Sequence, residues 1–175
     1  MTVDIGSYVR DIQDFPKPGI VFKDITPVLA SAEALDAAVV QLAEATRALE
    51  VDVVVGAEAR GFLLGAALAR ELGAGFVLAR KPGKLPHETV RAEYLLEYGT
   101  DALELHTDAV AEGARVLVHD DLLATGGTAH ALCELVEQLG GVVAGCAFLI
   151  ELGFLGGRAR LSGYDVHALL RYDSE

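Results

Sequence analysis

The chain has 175 residues, of which 52% are hydrophobic, so it can bury a sizeable core as one globular domain. Its formal net charge of −12 argues against nucleic acid or an anionic membrane as a partner, because both need a concentrated basic surface. No stretch approaches the roughly 20 apolar residues of a membrane-spanning helix, and the N-terminus lacks the pattern of a secretory signal. We therefore expect a cytoplasmic protein without a membrane segment.

Near the N-terminus, residues 14–28 form a proline-punctuated stretch, DFPKPGIVFKDITPV, which predicts a shaped loop over the edge of a sheet. Two later units each have the pattern of a buried strand, a turn and a helix, and such repeated units imply parallel strands. We predict a five-stranded, mostly parallel sheet covered by helices, with ligands at the carboxyl ends of its strands. The predicted strands are residues 51–56, 75–81, 115–121, 142–152 and 164–170, and the predicted helices are residues 34–49, 62–72 and 128–139.

The segment between the two units departs from this plan. Residues 80–88, RKPGKLPHE, form a basic loop in which Arg80, Lys81 and Lys84 lie close together. Such a loop can close over an anionic substrate, although a solvated surface loop is an equally good interpretation. Two alternating segments around Gly99 then predict a β-hairpin.

The stretch VLVHDDLLATGGTA, residues 116–129, passes from a buried strand into two aspartates and a turn with small side chains. The turn leaves backbone N–H groups open at a helix N-terminus, where the aligned peptide dipoles favour an anion. It lacks the Gly-Lys-Ser/Thr ending of a Walker loop, so we do not expect a nucleoside-triphosphatase. We call this turn the phosphate cup, and its residues are Ala124, Thr125, Gly126, Gly127 and Thr128.

Asp120 and Asp121 precede the phosphate cup at the predicted end of a strand. Their carboxylates can accept hydrogen bonds from neighbouring sugar hydroxyls, directly or through a divalent cation. A phosphorylated ribose satisfies both the carboxylates and the cup. The alternative is that Asp121 caps the turn while Asp120 is merely solvated.

Residues 116–128 resemble the phosphoribosyl-pyrophosphate signature of type I phosphoribosyltransferases, and DDLLATGGT is similar to the adenine-specific members of that family. Four further segments resemble the family in the same order: DFPKPGIVFKDITPVL, GAEARGFLLG, RKPGKLP and EYLLEYGTDALELH. The resemblance implies one type I phosphoribosyltransferase domain over residues 1–175, with a small hood over about residues 1–30 and a flexible catalytic loop. His119 departs from the family pattern, and we expect it to have a packing or surface role.

The resemblance also implies site roles. The phosphate cup would hold the 5-phosphate, and the aspartates would serve the ribose and the transition state, with Mg²⁺ contacted at most indirectly. Backbone amides in GAEARG could cradle pyrophosphate and Arg60 offers a donor fork, although an Arg at a helix start is commonly a surface residue. The family places Arg80 or Lys81 in the neighbouring subunit's site of a homodimer. The residues expected at pyrophosphate are Ala57, Glu58, Ala59, Arg60, Arg80, Lys81 and Lys84.

Base recognition is expected in GIVFKD. Backbone groups of Val21 and Lys23 can pair with adenine while Phe22 stacks on it, although Phe22 alone would suggest a core aromatic. A 6-oxopurine reverses the donor and acceptor pattern and would leave those groups unpaired. The resemblance places Leu122 on the other face of the base and Glu97 where it can manage the proton that adenine loses.

These features together predict transfer of the phosphoribosyl group from phosphoribosyl pyrophosphate to adenine, giving AMP and pyrophosphate. One alternative is the same fold acting on xanthine, hypoxanthine or orotate. Another is a regulator that binds phosphoribosyl pyrophosphate and nucleic acid, which would need a basic patch. A dinucleotide-binding module is less favoured, because no G-x-G-x-x-G follows the first strand.

Overall fold

The computed structural model describes residues 3–95 and 99–175 as an α/β fold. Its strands and helices alternate along most of the chain. The strands are β1 (Arg10–Gln13), β2 (Val21–Asp24), β3 (Val53–Ala57), β4 (Gly75–Ala79), β5 (Thr89–Leu95), β6 (Thr100–His106), β7 (Arg115–Leu123), β8 (Val142–Leu152) and β9 (Val166–Tyr172). The α-helices are α1 (Thr26–Ala30), α2 (Ala32–Thr46), α3 (Arg60–Leu72), α4 (Gly127–Gln138) and α5 (Gly157–Arg160).

The central sheet has five parallel strands in the order β4-β3-β7-β8-β9. Its middle strands are apolar along most of their length because helices cover both of their faces. Along β7, Val116 and Val118 enter the core on one face, while Leu117 enters the core on the other. The predicted five-stranded sheet is therefore confirmed, and all of its strands run in the same direction.

Two layers cover this sheet. Helices α2 and α3 lie on one face, where Leu42, Leu64 and Leu68 are fully buried. Helix α4 lies on the other face together with the β5–β6 hairpin, and its residues Leu132 and Leu135 are fully buried. These positions recur at helical spacing, which is why the sequence indicated amphipathic helices there.

Two small antiparallel sheets complete the fold. Strands β1 and β2 form a ribbon near the N-terminus, with Ile12 opposite Phe22. Strands β5 and β6 form the predicted hairpin, with Tyr94 opposite Asp101. The ribbon lies in the region where the resemblance implied a hood.

Element boundaries differ from prediction by a few residues. Strand β7 continues to Leu123 rather than ending at Asp121, because Leu122 and Leu123 pair with Ile150 and Glu151 of β8. Helix α2 begins at Ala32, two residues before the predicted start at residue 34, because the Ser31 hydroxyl caps it by accepting a hydrogen bond from the Ala34 N–H at 3.3 Å. Within residues 3–95 and 99–175, no helix combines the length and apolar character that a membrane crossing requires.

Candidate active site

The topology creates a crevice between β3 and β7. From β3 the chain continues to β4, which lies towards one edge of the sheet. From β7 it continues to β8, which lies towards the opposite edge. Ligands of open α/β sheets bind at such a switch point, outside the carboxyl ends of the strands. A pocket of about 170 Å³ lies there. Its lining residues are Arg60, Asp120, Leu122, Leu123, Phe148, Ala129 and the five residues of the phosphate cup.

The phosphate cup closes one end of this pocket. Gly126 precedes helix α4 with a φ of +85°, a left-handed conformation that glycine adopts without strain. No side chain caps the helix at this position, so the first N–H groups of α4 face the pocket without a side-chain acceptor at the cap. Unpaired N–H groups and the helix dipole together favour an anion.

The C-terminal part of the chain supports the cup from behind. A Cβ atom on Gly126 would lie 2.6 Å from the Gly157 carbonyl oxygen, and one on Gly157 would lie 3.0 Å from the Gly126 nitrogen. The first distance is shorter than real Cβ contacts, and a Cβ atom on Gly157 would also lie too close to the Ala124 carbonyl oxygen, so two glycines are needed for this backbone-to-backbone packing. Nearby, Arg160 Nη1 lies 3.4 Å from the Cβ position of Gly127.

A buried carboxylate anchors this C-terminal segment. The Glu151 side chain is 3% exposed and accepts hydrogen bonds from Arg158 Nε at 3.1 Å and from Arg171 Nη1 at 3.2 Å. The hydrogen bonds from Arg158 lower the pKa of Glu151 more than burial raises it, and the charge of Arg171 adds to this effect. Arg158 also donates to the Val166 carbonyl at 2.8 Å. The first residues of α5 are thus tied to β8 and β9.

The two aspartates lie in different environments. Asp121 is 3% exposed at its side chain, and its Oδ2 atom lies 3.3 Å from Nε of Arg60. Asp120 lines the pocket and accepts a hydrogen bond from the Asp121 N–H at 2.9 Å. Burial, and then the charge of Asp121, raise the pKa of Asp120 well above its usual value. A cation entering the pocket would therefore favour the ionised form of Asp120.

The basic loop contacts the loop that follows β3 through Glu58. The Glu58 side chain is 9% exposed and accepts hydrogen bonds from the Lys81 backbone N–H and from Lys84 Nζ, the latter at 3.0 Å. Arg80 Nη2 lies 3.7 Å from the same carboxylate. Burial would raise the pKa of Glu58, but these donors and their charges outweigh burial and lower it. Glu58 thus supplies the negative charge that gathers these cations at one end of the site.

The N-terminal ribbon reaches the same site through an aromatic contact. The guanidinium carbon of Arg60 lies 5.5 Å from the centre of the Phe22 ring, within the range of a cation–π interaction. Phe15 meets Phe22 edge-on at 5.2 Å between ring centres. The Lys23 side chain points away, because it is buried against Asp11 at 2.8 Å and lies over the Tyr172 ring. Lys23 therefore leaves only its backbone for ligand recognition.

The sequence is similar to those of proteins from one enzyme family. Residues 23–166 match the family model described as "Phosphoribosyl transferase domain". The adenine phosphoribosyltransferase of Rubrobacter xylanophilus is 62% identical over 169 residues, which are 96% of this chain and 91% of that protein. The chain belongs to the adenine phosphoribosyltransferase family. It is therefore a pentosyltransferase by family.

Solved structures of the adenine phosphoribosyltransferase family have the same fold. The enzyme from Thermoanaerobacter pseudethanolicus superposes with a TM-score of 0.94 at 56% identity, over 97% of this chain and 98% of that one. The Saccharomyces cerevisiae enzyme, solved with an imino-altritol bisphosphate and adenine, superposes with a TM-score of 0.90 at 40% identity, over 95% of this chain and 97% of that one. The type I phosphoribosyltransferase fold inferred from the sequence is confirmed.

Most of the residues predicted for this family's site lie around one crevice. The pocket brings together Arg60, Asp120, Leu122 and the phosphate cup. Asp121 lies just outside the pocket lining, held by Arg60. Glu97, the expected proton acceptor, lies outside the described residues. His119 was expected to have a packing or surface role. It is fully buried, which excludes the surface role, and burial lowers its pKa to about 4.

Several residues that shape this site were missed from the sequence. Gly157 supports the phosphate cup, Glu151 and Arg158 anchor α5, and Asp101 pairs with Lys81. The segment GFLGGRAR carries a usable signal, because two adjacent glycines before two arginines suggest a tight turn next to an anionic group. Asp101 has no comparable signal, since it follows the hairpin turn like an ordinary surface residue.

Proposed function

We propose that the chain transfers the 5-phosphoribosyl group of phosphoribosyl pyrophosphate to adenine, giving AMP and pyrophosphate. The supporting observation is the switch-point pocket, in which an open helix N-terminus, a carboxylate and an arginine converge. The reaction needs these three features for phosphate, ribose and pyrophosphate. Membership of the adenine phosphoribosyltransferase family supports the choice of base.

In this proposal the phosphate cup binds the 5-phosphate through its backbone N–H groups and the hydroxyls of Thr125 and Thr128. Asp120 and Asp121 accept hydrogen bonds from the ribose hydroxyls. As the bond from ribose C1 to pyrophosphate breaks, positive charge develops on the sugar ring, and the carboxylates stabilise it. Asp120 suits this role because its raised pKa falls again when a positive charge is nearby.

Pyrophosphate would lie between residues 57–60 and the basic loop. Backbone amides of Ala57, Glu58 and Ala59 and the Arg60 guanidinium supply donors, and the basic loop supplies three cationic side chains. Because Glu58 already binds the side chains of Arg80 and Lys84, pyrophosphate must replace its carboxylate as the partner of these two cations. The basic-loop residues in this role are Arg80, Lys81 and Lys84.

Mg²⁺ generally accompanies phosphoribosyl pyrophosphate in this family, and we include it in the proposal. In the described part of the chain, no group of three or more His, Cys, Asp or Glu side chains is arranged to hold a metal ion. Mg²⁺ commonly binds through one or two carboxylates together with substrate oxygens, and the Asp120 carboxylate in the pocket fits that donor set. When bound, the ion would neutralise charge on the departing pyrophosphate.

Adenine would lie between Phe22 and Leu122, with its edge read by backbone groups of Val21 and Lys23. Glu97 would accept the N9 proton as N9 bonds to ribose C1. The closeness of Phe22 to Arg60 supports this placement, because it joins the ribbon to the donor pocket. The proposal also includes one domain over residues 1–175, a homodimer in which Arg80 or Lys81 serves the neighbouring site, and a cytoplasmic location.

An assay with labelled adenine, phosphoribosyl pyrophosphate and Mg²⁺ tests the reaction. We expect AMP and pyrophosphate in equal amounts, and no nucleotide when hypoxanthine or guanine replaces adenine. Nucleotide formed equally well from hypoxanthine would contradict the backbone-pairing argument. No product from any base would contradict the proposed activity. Light scattering during gel filtration tests the dimer separately.

A further inference from the structure

A buried lysine joins the N-terminal ribbon to the central sheet. The Lys23 side chain is 5% exposed, and its Nζ atom donates a hydrogen bond to Oδ1 of Asp11 at 2.8 Å. Asp11 lies directly opposite Lys23 in the pairing of β1 with β2. The same ammonium group lies 4.2 Å from the centre of the Tyr172 ring, within the range of a cation–π interaction. Because Tyr172 is the last residue of β9, Lys23 connects the ribbon to an edge strand of the sheet.

The preceding residue of β2 faces the pocket instead. Successive side chains of a strand point to opposite faces, so Phe22 and Lys23 leave β2 in opposite directions. Phe22 lies against Arg60, which in turn pairs with Asp121 of β7. The connection to the sheet and the proposed base contact are therefore made by adjacent residues. A shift of the Lys23 main chain would move the Phe22 ring with it.

Burial of the ammonium group restrains this part of the backbone. Removing a charge from water is costly unless a hydrogen-bonded counter-charge replaces the water. The Asp11 carboxylate supplies that charge, and because it is 52% exposed it also remains in contact with solvent. A movement of β2 that separated Lys23 from Asp11 would leave a buried charge without its counter-charge. The pairing therefore opposes movement of residues 21–23, where base recognition is proposed.

We propose that Lys23 is a positioning residue for base recognition. Asp11 and Tyr172 hold its side chain, which fixes the backbone of β2. The peptide groups of Val21 and Lys23 and the ring of Phe22 then meet the base in one arrangement. The inference rests on the proposed function, because it takes these three residues as the adenine site. The Lys23 side chain acts on the base only through its own main chain.

Lys23→Met separates this role from simple packing. Methionine is unbranched and apolar, so it can fill the buried space without a charge that needs a partner, and the variant should fold. We expect its Kd for AMP to rise about two- to tenfold, the range for loss of one hydrogen bond, because the base edge is held less precisely. Its Kd for ribose 5-phosphate should change by less than about 1.5-fold, because AMP carries adenine where ribose 5-phosphate carries a hydroxyl group.

Three further variants sharpen the test. Lys23→Arg keeps a cation that can pair with Asp11 and stack on the Tyr172 ring, so it should restore most of the affinity for AMP. Tyr172→Leu removes the ring and should raise the Kd for AMP about two- to tenfold. Arg10→Gln is the matched control, because Arg10 pairs with Asp24 at 3.8 Å across the same two strands but is 61% exposed. An exposed pair of this kind contributes little, so this variant should bind AMP like the parent.

Calorimetric titration of each folded variant with AMP and with ribose 5-phosphate distinguishes the outcomes. The inference is overturned if Lys23→Met binds AMP like the parent, or if it loses affinity for both ligands equally. It is also overturned if Lys23→Arg loses as much affinity as Lys23→Met, or if the parent binds AMP no more tightly than ribose 5-phosphate, since the base site is then misassigned. AMP formation from adenine by the parent, measured separately, shows whether the proposed reaction holds when the positioning role fails.

Discussion

Gly157→Ala is expected to damage the site although Gly157 does not line the pocket. The new Cβ would lie 3.0 Å from the Gly126 nitrogen and 3.1 Å from the Ala124 carbonyl carbon, and closer still to the Ala124 oxygen. Ordinary contacts begin at 3.4 Å, so the cup and α5 must separate by at least several tenths of an ångström. The three nearest atoms all belong to the backbone of the cup, which therefore cannot relieve these contacts by rotating a side chain.

The expected loss follows from this displacement. A misplacement of about 1 Å in a binding group can cost about 100-fold in rate, so we expect kcat/KM for phosphoribosyl pyrophosphate to fall about 10- to 100-fold. The Michaelis constant for adenine should change by less than about twofold, because the cup does not contact the base in the proposed arrangement. Initial rates measured with each substrate varied in turn provide both values.

Gly156→Ala is the matched control for this experiment. Gly156 has a φ of +68° but no atom within 4 Å of its Cβ position. An alanine there costs about 1 kcal/mol in stability through backbone strain but should leave kcat/KM within about twofold of the parent. Wild-type kinetics in Gly157→Ala, or equal losses in both variants, would refute the steric argument.

Three further predictions concern other parts of the site. Phe22→Ala should raise the Michaelis constant for adenine about two- to tenfold through lost stacking, and an unchanged constant would remove Phe22 from the base site. Asp120→Asn should abolish most AMP formation yet raise Tm at pH 7 by about 2–4 °C, because the raised pKa of Asp120 means that ionisation opposes folding at that pH. The Tm difference should close as pH falls through the raised pKa towards 3.8, and a lower Tm for the variant at pH 7 would contradict this sign. Glu58→Gln should lower the inhibition constant of pyrophosphate, because the basic loop loses the carboxylate that competes for its cations. A higher constant would mean that Glu58 holds the loop in its binding position.

The sequence was informative wherever function depends on local chemistry. A continuous apolar run such as residues 142–152 fits few elements of a chain of this length other than an interior strand covered on both faces. The parallel sheet could therefore be predicted. The phosphate cup was equally clear, because small residues at a helix start leave N–H groups free whatever surrounds them. The end of β7, predicted at Asp121 and found at Leu123, was less clear from the sequence, because pairing with β8 decides where the strand stops.

Contacts between distant segments were not predictable in the same way. Gly126 and Gly157 are 31 positions apart by their numbers, and nothing in either local pattern indicates that their backbones touch. The pairing of Lys81 with Asp101 depends on the hairpin register, which a shift of one residue would move to the opposite face. The different environments of Asp120 and Asp121 likewise depend on Arg60, which enters from another loop.

These long-range pairs explain how an acidic chain with a net charge of −12 can bind an anionic substrate. The cations of the site already have carboxylate partners: Arg60 pairs with Asp121, Lys84 with Glu58, and Lys81 with Asp101. Binding therefore exchanges one anion for another around fixed cations, so it does not desolvate free charges. The binding free energy therefore reflects the difference between the attraction of these cations to the substrate and their attraction to the carboxylates. This difference is smaller than the free energy that three unpaired cations would contribute. For the same reason, the internal carboxylates keep the cations arranged when no substrate is bound, and their removal should change the selectivity among anions more than the stability of the fold.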